Sequence, residues 1–371
     1  MGGSQNRLNP PSSYPFKYLC LMSANTTNTP TRTELATLGE FGLIERLANG
    51  VQIHHPQTIK GIGDDAAVVK ISDTESMVIT TDLLAEGIHF DLAYVPLKHL
   101  GYKAVAVNLS DVAAMNAVPR QITVSIALSN RFSVEAIDEL YAGINSACEA
   151  YKVDLVGGDT TSSRAGLIIS VTAIGVAKTD KIVYRSGAKP GQVVCVSGDL
   201  GAAYLGLQIL EREKREFVEN PDMKPKLEGN DYLIGRQLKP EARMDVIYDL
   251  AEQGVVPTAM IDVSDGLASE VLHLSRQSGV GFAIYEDTIP LDNQAALAAS
   301  DFGLVGTTCA LNGGEDYELL MTFTQEDFEK VRKTMASLTA IGITRDLDKG
   351  NYLHTRGGQQ AEIKAQGWTS F

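Results

Sequence analysis

The sequence predicts a mixed α/β protein with two domains. Its 371 residues are about twice the length of a usual domain. Hydrophobic residues make up 44% and charged residues 21%, which is ordinary globular composition and enough apolar material for a core in each domain. Apolar runs suited to strands alternate with segments of helical periodicity, and this alternation is typical of helices layered on sheets.

The N-terminal segment differs from the rest of the chain. Residues 1–36 are rich in Ser, Thr, Asn and Pro and have no sustained apolar period, so they are predicted to be a disordered extension. They also lack the apolar stretch and small-residue cleavage site of a signal peptide. Apolar residues at 41, 43, 44 and 47 then predict a helix over Glu40–Asn49.

The first domain is predicted to span residues 37–180. Ser133–Tyr151 has a clear amphipathic period and a capping serine at its start, which predicts a helix. Leu97–Met115 alternates small and apolar residues and lies between predicted strands. Those strands are Ala66–Ile71, Ser76–Thr80, Gln121–Ala127 and Leu167–Val176.

The second domain is predicted to span residues 181–371. Charged, Gly and Pro residues in Lys178–Gly191 interrupt the pattern and predict a domain junction. Glu211–Asn230 is a polar excursion from the apolar pattern. The predicted strands and apolar runs are Gln192–Ser197, Thr258–Val263, Gly281–Tyr285, Leu319–Thr324 and Ala340–Thr344, and the predicted helices open at Gly198–Gly201 and cover Arg243–Gln253 and Leu267–Ser278.

Charge and cysteine content exclude several classes of protein. There are 32 Lys plus Arg against 46 Asp plus Glu, a net charge of −14, which disfavours binding to nucleic acid or to an anionic membrane surface. The four cysteines are far apart, so neither a disulfide framework nor a zinc site is indicated, and they suit the reduced interior of a cytoplasmic protein. The longest apolar stretch, Leu167–Ala177, is too short to span a bilayer.

Acidic residues recur where apolar runs end beside small residues. These positions are Asp64-Asp65, Asp82, Asp111, Asp159, Asp262 with Asp265, and Glu315-Asp316. Taken singly, each has an ordinary explanation, such as Ser110-Asp111 capping a helix over Val112–Met115. Six clusters at the ends of elements are more consistent with one shared site, because ligand sites in α/β sheets gather at strand ends.

Such a set of carboxylates needs a cation. Packed together without one they would repel, and oxygen ligands select Mg²⁺ or a similar hard cation, which usually shares phosphate oxygens with a substrate. Backbone N–H groups at Gly157-Gly158, Gly198–Gly201 and Gly313-Gly314 are candidates for contacting phosphate. The chain has neither a Walker A motif nor a protein-kinase loop, and Gly61 and Gly63 lack the third glycine of a Rossmann fingerprint. The sequence therefore predicts a Mg²⁺–nucleotide site on another scaffold.

Three further residues each have two interpretations. Arg185 is either a solvated linker residue or a phosphate ligand between the domains. His89 lies among apolar neighbours, where a structural role is commoner than a functional one. The lone tryptophan, Trp368, is either a packing residue or an aromatic surface on which a ring stacks.

Seven motifs, in order along the chain, resemble those of the thiamine-monophosphate kinase family. They are Asp64-Asp65-Ala66-Ala67, Thr80-Thr81-Asp82-Leu83-Leu84 with Gly87 and His89, Asn108-Leu109-Ser110-Asp111, Gly157-Gly158-Asp159-Thr160-Thr161, Arg185-Ser186-Gly187-Ala188-Lys189-Pro190-Gly191, Asp262-Val263-Ser264-Asp265-Gly266-Leu267 and Gly313-Gly314-Glu315-Asp316-Tyr317-Glu318-Leu319. The resemblance runs from Gly39 to the end of the chain. It implies a two-domain aminoimidazole ribonucleotide synthetase-like fold, shared with selenophosphate synthetase, in which N-terminal domains pair into a homodimer around a joint β-barrel.

The resemblance also implies the reaction. In this family the γ-phosphoryl group of ATP passes directly to thiamine monophosphate, giving thiamine diphosphate and ADP, the last step of thiamine diphosphate biosynthesis. Residues implied to hold several Mg²⁺ ions are Asp65, Thr80, Thr81, Asp82, Asp111, Asp159, Asp262 and Asp265. Residues implied to contact ATP are Gly158, Asp159, Arg185 and Ser264, and those implied to contact the thiamine moiety are His89, Glu315 and Trp368. After Trp368 the chain continues with Thr369-Ser370, where the family usually has Asp and His.

Related functions remain as alternatives. Selenophosphate synthetase needs a reactive cysteine or selenocysteine in a glycine-rich N-terminal loop, and the hydrogenase-maturation relative ends in a cysteine-bearing tail; neither feature is found here. Aminoimidazole ribonucleotide synthetase is the closest enzymatic alternative. A non-catalytic Mg²⁺–nucleotide-binding module is the alternative from a different class.

Overall fold

The computed structural model describes residues 33–366. Most of the predicted disordered extension, and Trp368, lie outside the described residues. A 3-10 turn at Leu35–Thr37 is followed by helix α1, Gly39–Ala48, which confirms the first predicted helix. Within the described part of the chain, no helix is both long and apolar enough to cross a membrane.

The N-terminal half builds a six-stranded sheet backed by two long helices. The strands are β1 Thr58–Lys60, β2 Ala67–Lys70, β3 Glu75–Ala85, β4 Val118–Leu128, β5 Asp154–Ser162 and β6 Ile168–Lys178, and the helices are α2 Leu97–Ala114 and α3 Val134–Tyr151. The strand order is β1-β2-β3-β6-β4-β5, and every pair is antiparallel except β4 with β5. At the start of α3, Ser133 accepts a hydrogen bond from the Ala136 N–H at 3.3 Å, as the capping prediction requires.

The C-terminal half builds a seven-stranded sheet surrounded by helices. Its strands are β7 Val193–Ser197, β8 Ala259–Asp262, β9 Val280–Tyr285, β10 Leu319–Phe323, β11 Leu338–Asp346, β12 Asn351–His354 and β13 Gln360–Glu362. Its helices are α4 Ala202–Glu219, α5 Asp231–Leu238, α6 Met244–Glu252, α7 Leu267–Ser278, α8 Asn293–Asp301, α9 Gly306–Asn312 and α10 Gln325–Val331. The strand order is β13-β12-β9-β11-β7-β10-β8, and only β12 with β9 is parallel.

Two sequence interpretations are wrong. The polar segment that begins at Glu211 was expected to leave the regular pattern, but its first part belongs to helix α4, which continues to Glu219. Glu213 in this part is buried and accepts a hydrogen bond from the Lys226 N–H at 2.7 Å. Ser110-Asp111 does not begin a helix; both residues belong to the last turns of α2, because the helical pattern starts much earlier, at Leu97.

Helix α2 is the central element of the molecule. It is buried along most of its length, and its alternation of small and apolar residues suits a helix surrounded by protein on all sides. Residues along the helix, from Leu100 to Leu109, lie in the core of the first sheet. At its C-terminal end, Ala113 and Ala114 share a hydrophobic cluster with residues of the second sheet. Helix α2 thus brings the two sheets together.

The crossing of α2 and α3 depends on two glycines that face each other. A Cβ added to Gly101 would lie 2.0 Å from the Leu140 carbonyl oxygen, and one added to Gly143 would lie 1.9 Å from the Lys98 carbonyl oxygen. Both distances are far inside van der Waals contact with backbone, which flexible side chains cannot relieve. The helices can therefore approach this closely only because both positions lack a side chain.

We predict that Gly101→Ala lowers the free energy of unfolding by about 3 kcal/mol, because the added methyl group forces α2 and α3 apart. Denaturant unfolding measures this. The matched control is Gly235→Ala, a helical glycine in α5 whose added Cβ meets nothing within 4 Å. That variant should be more stable than the wild type by about 0.5–1 kcal/mol, through helix propensity alone. Equal effects of the two substitutions would contradict the packing argument.

Candidate active site

Three carboxylates from distant parts of the sequence meet between the sheets. They are Asp65 in the loop before β2, Asp111 in the last turn of α2, and Asp262 at the end of β8. One carboxylate oxygen from each lies within 4.8 Å of the others. Asp65 and Asp262 are buried. The contact of α2 with both sheets explains why these residues converge.

Short hydrogen bonds from neighbouring hydroxyl groups orient these carboxylates. Thr80 Oγ1 donates to Asp111 Oδ2 at 2.5 Å, and Ser110 Oγ donates to Asp262 Oδ2 at 2.6 Å. The Asp82 N–H donates to Asn108 Oδ1 at 3.0 Å, which ties β3 to α2. The Asn-Leu-Ser-Asp motif therefore serves the site from within a helix.

Burial and mutual repulsion raise the pKa values of the carboxyl groups in and around the cluster. Burial, followed by the charge of Asp82, raises the pKa of Asp111 well above its usual value. Burial, followed by the charge of Asp65, raises the pKa of Asp262 to about 7. Burial raises the pKa of Asp82 to about 6. The protein therefore holds several acids in a place that disfavours their ionised forms.

Arg185 contacts this cluster. Its Nη2 and Nε atoms donate to Asp65 Oδ1 at 2.7 and 3.1 Å. The side chain is one-fifth exposed, so it lies at the junction between the halves rather than in solvent. One guanidinium cannot neutralise this many carboxylates, and burial still raises the pKa of Asp65.

The donor set fits a hard divalent cation. The buried Oδ2 atom of Asp65 accepts no hydrogen bond within the described residues, and Asp64 Oδ2 lies 3.4 Å from Lys60 Nζ. Closely grouped carboxylate oxygens with unsatisfied lone pairs are the ligands that Mg²⁺ prefers, and a cation would offset the repulsion described above. Asp65, Asp111 and Asp262 are therefore the residues most able to hold a metal ion.

A loop after β8 extends the site. In this loop the Ser264 and Asp265 N–H groups both donate to Glu270 Oε1, at 3.1 and 2.8 Å. Burial, followed by the charge of Glu40, raises the pKa of Asp265 to about 6. Glu270 is itself buried and was not identified from the sequence, because a glutamate in the first turn of a helix is common.

A cavity of about 820 Å³ adjoins this loop, and Ser264 and Asp265 form part of its wall. His89 also lines it, with Nδ1 accepting from the Ala85 N–H at 3.0 Å. Burial lowers the pKa of His89, which favours the neutral imidazole. The other polar and aromatic wall residues include Glu40, Tyr94, Lys103, Tyr204, Glu211, Lys214, Gln237, Glu315 and Tyr317.

Glu315 is held in this wall at both carboxylate oxygens. Lys103 Nζ lies 2.7 Å from Oε1, and Gln237 Nε2 donates to Oε2 at 2.7 Å. Sequence reasoning missed Lys103 and Gln237. Both lie on helices, α2 and α5, and the sequence of a helix does not show which residue of another element its polar side chains contact.

Other predicted site residues lie apart from the cluster. Thr81 is on the exposed face of β3, where its Oγ1 donates to the Val171 carbonyl oxygen at 3.0 Å. Gly158 and Asp159 are on the exposed edge strand β5, separated from β3 by β6 and β4. At Gly158 an added Cβ would lie 1.8 Å from the Val124 carbonyl oxygen, so this glycine permits the close pairing of β5 with β4.

Two family models match the two halves of the chain. The family model for AIR synthase related protein, N-terminal domain, matches residues 63–177, and the model for the C-terminal domain matches residues 189–345. Two α/β halves with carboxylates gathered between them are thus those of an AIR synthase related protein. Hydrogenase maturation protein HypE in complex with ATP is 18% identical with a TM-score of 0.63, which shows the shared fold alone.

Individual relatives identify one family within this class. The thiamine-monophosphate kinase of Aquifex aeolicus is 34% identical over 91% of this chain and 99% of its own length. That of Bacillus subtilis is 32% identical over 90% of this chain and 100% of its own. A solved structure, AaThiL complexed with AMPPCP and TMP, is 33% identical with a TM-score of 0.78, covering 92% of this chain and all of that one. The chain belongs to the thiamine-monophosphate kinase family.

We predict that Asp111→Asn stabilises the protein when no divalent cation is present. Removing one of several buried like charges should raise the free energy of unfolding near neutral pH by about 1 kcal/mol or more. The measurement is denaturant unfolding in the presence of a chelator. The exposed Asp138 on α3 provides the control, and Asp138→Asn should change the free energy by less than about 0.5 kcal/mol. A less stable Asp111→Asn variant would argue against strong repulsion in the cluster.

Proposed function

We propose that this protein transfers the γ-phosphoryl group of ATP to thiamine monophosphate, giving thiamine diphosphate and ADP. The observation that carries the proposal is the end-to-end similarity to the Aquifex enzyme, 34% identical over 99% of that enzyme's length. The buried carboxylates beside a cavity of about 820 Å³ support the same activity.

The residue roles follow the family pattern and are part of the proposal. Several Mg²⁺ ions are assigned to Asp65, Thr80, Thr81, Asp82, Asp111, Asp159, Asp262 and Asp265. ATP is assigned to Gly158, Asp159, Arg185 and Ser264, and the thiamine moiety to His89, Glu315 and Trp368. The grouping of Asp65, Asp111 and Asp262, and the presence of His89, Ser264 and Glu315 in one cavity wall, support these assignments.

The chemistry is chiefly a matter of charge and alignment. Both reactants carry phosphate anions that repel each other, and bound Mg²⁺ supplies the neutralising charge. Arg185 adds a guanidinium at the junction, where it can contact phosphate oxygens. The acceptor oxygen already belongs to an ionised phosphate, so no strong general base is needed. We therefore expect in-line transfer without a covalent phosphoenzyme.

The cavity wall suits the organic part of the acceptor. Thiamine carries a positively charged ring, and aromatic faces and carboxylates both attract organic cations. Tyr94 and Tyr204 supply aromatic side chains, and Glu211 and Glu315 supply carboxylates. Because Nδ1 of His89 accepts from the Ala85 N–H, the neutral ring carries its proton on Nε2 and can donate a hydrogen bond there without adding charge.

The direct test is incubation with Mg²⁺, ATP and thiamine monophosphate, followed by chromatography. Thiamine diphosphate and ADP should form in equal amounts. Asp262→Asn should lower kcat by at least about a hundredfold, because it removes a carboxylate from the centre of the cluster. The exposed Asp138→Asn variant should retain wild-type kcat.

Three other outcomes would contradict the proposed reaction or its mechanism. ADP release with the substrate of aminoimidazole ribonucleotide synthetase, and none with thiamine monophosphate, would favour that alternative. Calorimetric binding of ATP without any turnover would favour a non-catalytic nucleotide-binding module. Radioactivity from γ-³²P-labelled ATP that stays on the denatured protein would contradict direct transfer.

We further propose a homodimer in which the N-terminal domains pair around a joint β-barrel. Support comes from apolar side chains on the exposed side of the first sheet, with Ile59, Leu83 and Val156 between 45% and 59% exposed. Strand β5 is also an edge strand. The limits of the domains, 37–180 and 181–371, are proposed as well, and the family models support them because they leave only 178–188 unmatched between them. A cytoplasmic location is proposed because the reaction consumes ATP.

Sedimentation velocity tests the homodimer. The wild type should sediment at about twice the chain mass of 39.9 kDa. Leu83→Asp should weaken association at least tenfold, because an apolar contact is replaced by a charge. The control, Val134→Asp, changes an exposed valine on α3, away from the sheet, and should leave the dimer intact. A monomeric wild type at micromolar concentration would contradict the pairing.

A further inference from the structure

Lys103 is a lysine buried within helix α2 at the wall of the cavity. Only 3% of the residue is exposed. Its Nζ lies 2.7 Å from Glu315 Oε1 and 3.3 Å from the Gln237 carbonyl oxygen. Lysine is almost never buried unless it is paired, so its position requires a partner of opposite charge. That partner is Glu315, a residue to which the proposed function assigns contact with the thiamine moiety.

The backbone around Glu315 is unusual. Glu315 has a φ of +59° and Tyr317 a φ of +52°, the left-handed region that residues other than glycine rarely adopt. Such conformations persist only where surrounding contacts determine them. The Glu315 N–H donates to the Ser264 carbonyl oxygen at 2.6 Å, and the Tyr317 N–H donates to the Val263 carbonyl oxygen at 2.9 Å. The segment is thereby joined to the loop that follows Asp262 and carries Asp265.

Successive side chains of residues 315–318 face two different cavities in turn. Glu315 and Tyr317 line the cavity of about 820 Å³, whereas Asp316 and Glu318 border a different cavity together with Arg236. Asp316 accepts a hydrogen bond from the Gly201 N–H at 2.7 Å, and Glu318 accepts one from Arg236 Nη1 at 2.9 Å. The main chain is therefore anchored without Lys103. What Lys103 contributes is the position of the Glu315 side chain.

We propose that Lys103 is a positioning residue for thiamine monophosphate, acting through Glu315. The inference rests on the proposed function, in which Glu315 contacts the thiamine moiety. Lys103 and Gln237 hold both oxygens of the carboxylate, so the group is ordered before the acceptor binds and little entropy is lost on binding. The ammonium group also balances the charge of Glu315. The cavity wall around Glu315 can then bind the cationic ring of thiamine monophosphate without repelling the phosphate of the same molecule.

The test compares binding constants for the two substrates. For Lys103→Met we expect the Kd of thiamine monophosphate, measured by calorimetry without ATP, to rise about 30-fold, with a similar rise in its KM. The KM of ATP should change by less than about twofold, and kcat should fall by less than about threefold. Lys103→Arg keeps the charge and should recover most of the affinity. Lys98→Met, at an exposed lysine on the same helix, is the matched control and should leave every constant unchanged.

A double-variant cycle separates positioning from direct contact. If Lys103 acts through Glu315, then Lys103→Met combined with Glu315→Gln should bind thiamine monophosphate no more weakly than Glu315→Gln alone. Multiplying effects would overturn the proposal, as would an unchanged Kd in Lys103→Met or an equal rise in the KM of ATP. If Lys103→Met fails to fold, the comparison of Glu315→Gln with the double variant, in which both charges are absent, still decides.

Failure of the proposed function is a separate result. A wild-type protein that neither binds nor phosphorylates thiamine monophosphate would refute the proposed function itself. A wild type that turns over thiamine monophosphate, with Lys103→Met as good as wild type, would refute only the role of Lys103.

Discussion

The main constraint on this structure is that it must bury carboxylates that repel one another. Asp65, Asp111 and Asp262 come from three segments that are distant in sequence, and their oxygens lie within 4.8 Å. Helix α2 makes this possible, because its small and apolar surface packs against both sheets and delivers Asp111 to the end of β8. Hydrophobic burial elsewhere along α2 offsets an arrangement that is electrostatically unfavourable on its own.

The neighbours of the cluster are suited to orienting the acids rather than neutralising them. Hydroxyl groups from Thr80 and Ser110 fix two carboxylates, and Arg185 pairs with Asp65. The negative charge that remains attracts a divalent cation, and such a cation can in turn bind the phosphate of a substrate. A site of this kind sacrifices stability for binding, which is a common relation between stability and activity.

The cavity beside the cluster is organised by a different constraint. Two cavity-facing residues, Glu315 and Tyr317, adopt left-handed backbone conformations, and contacts on both sides of the segment hold them there. Ser264 and Asp265 belong both to the wall of this cavity and to the loop that follows Asp262. The segment that forms the cavity wall and the one that carries the acids are thus joined directly, so their relative positions are fixed by backbone hydrogen bonds.

The α/β class, most strands and long helices, and the short motifs that carry the acids could be predicted from the sequence alone, because periodicity and local residue order express these features. Strand β5 could not be predicted, because glycines weaken a strand and only the pairing with β4 forms this one. Nor did the sequence show the pairing of Lys103 with Glu315, which are on separate elements. Such contacts are decided only by tertiary packing, because side chains far apart in the chain become neighbours only when the helices and sheets assemble.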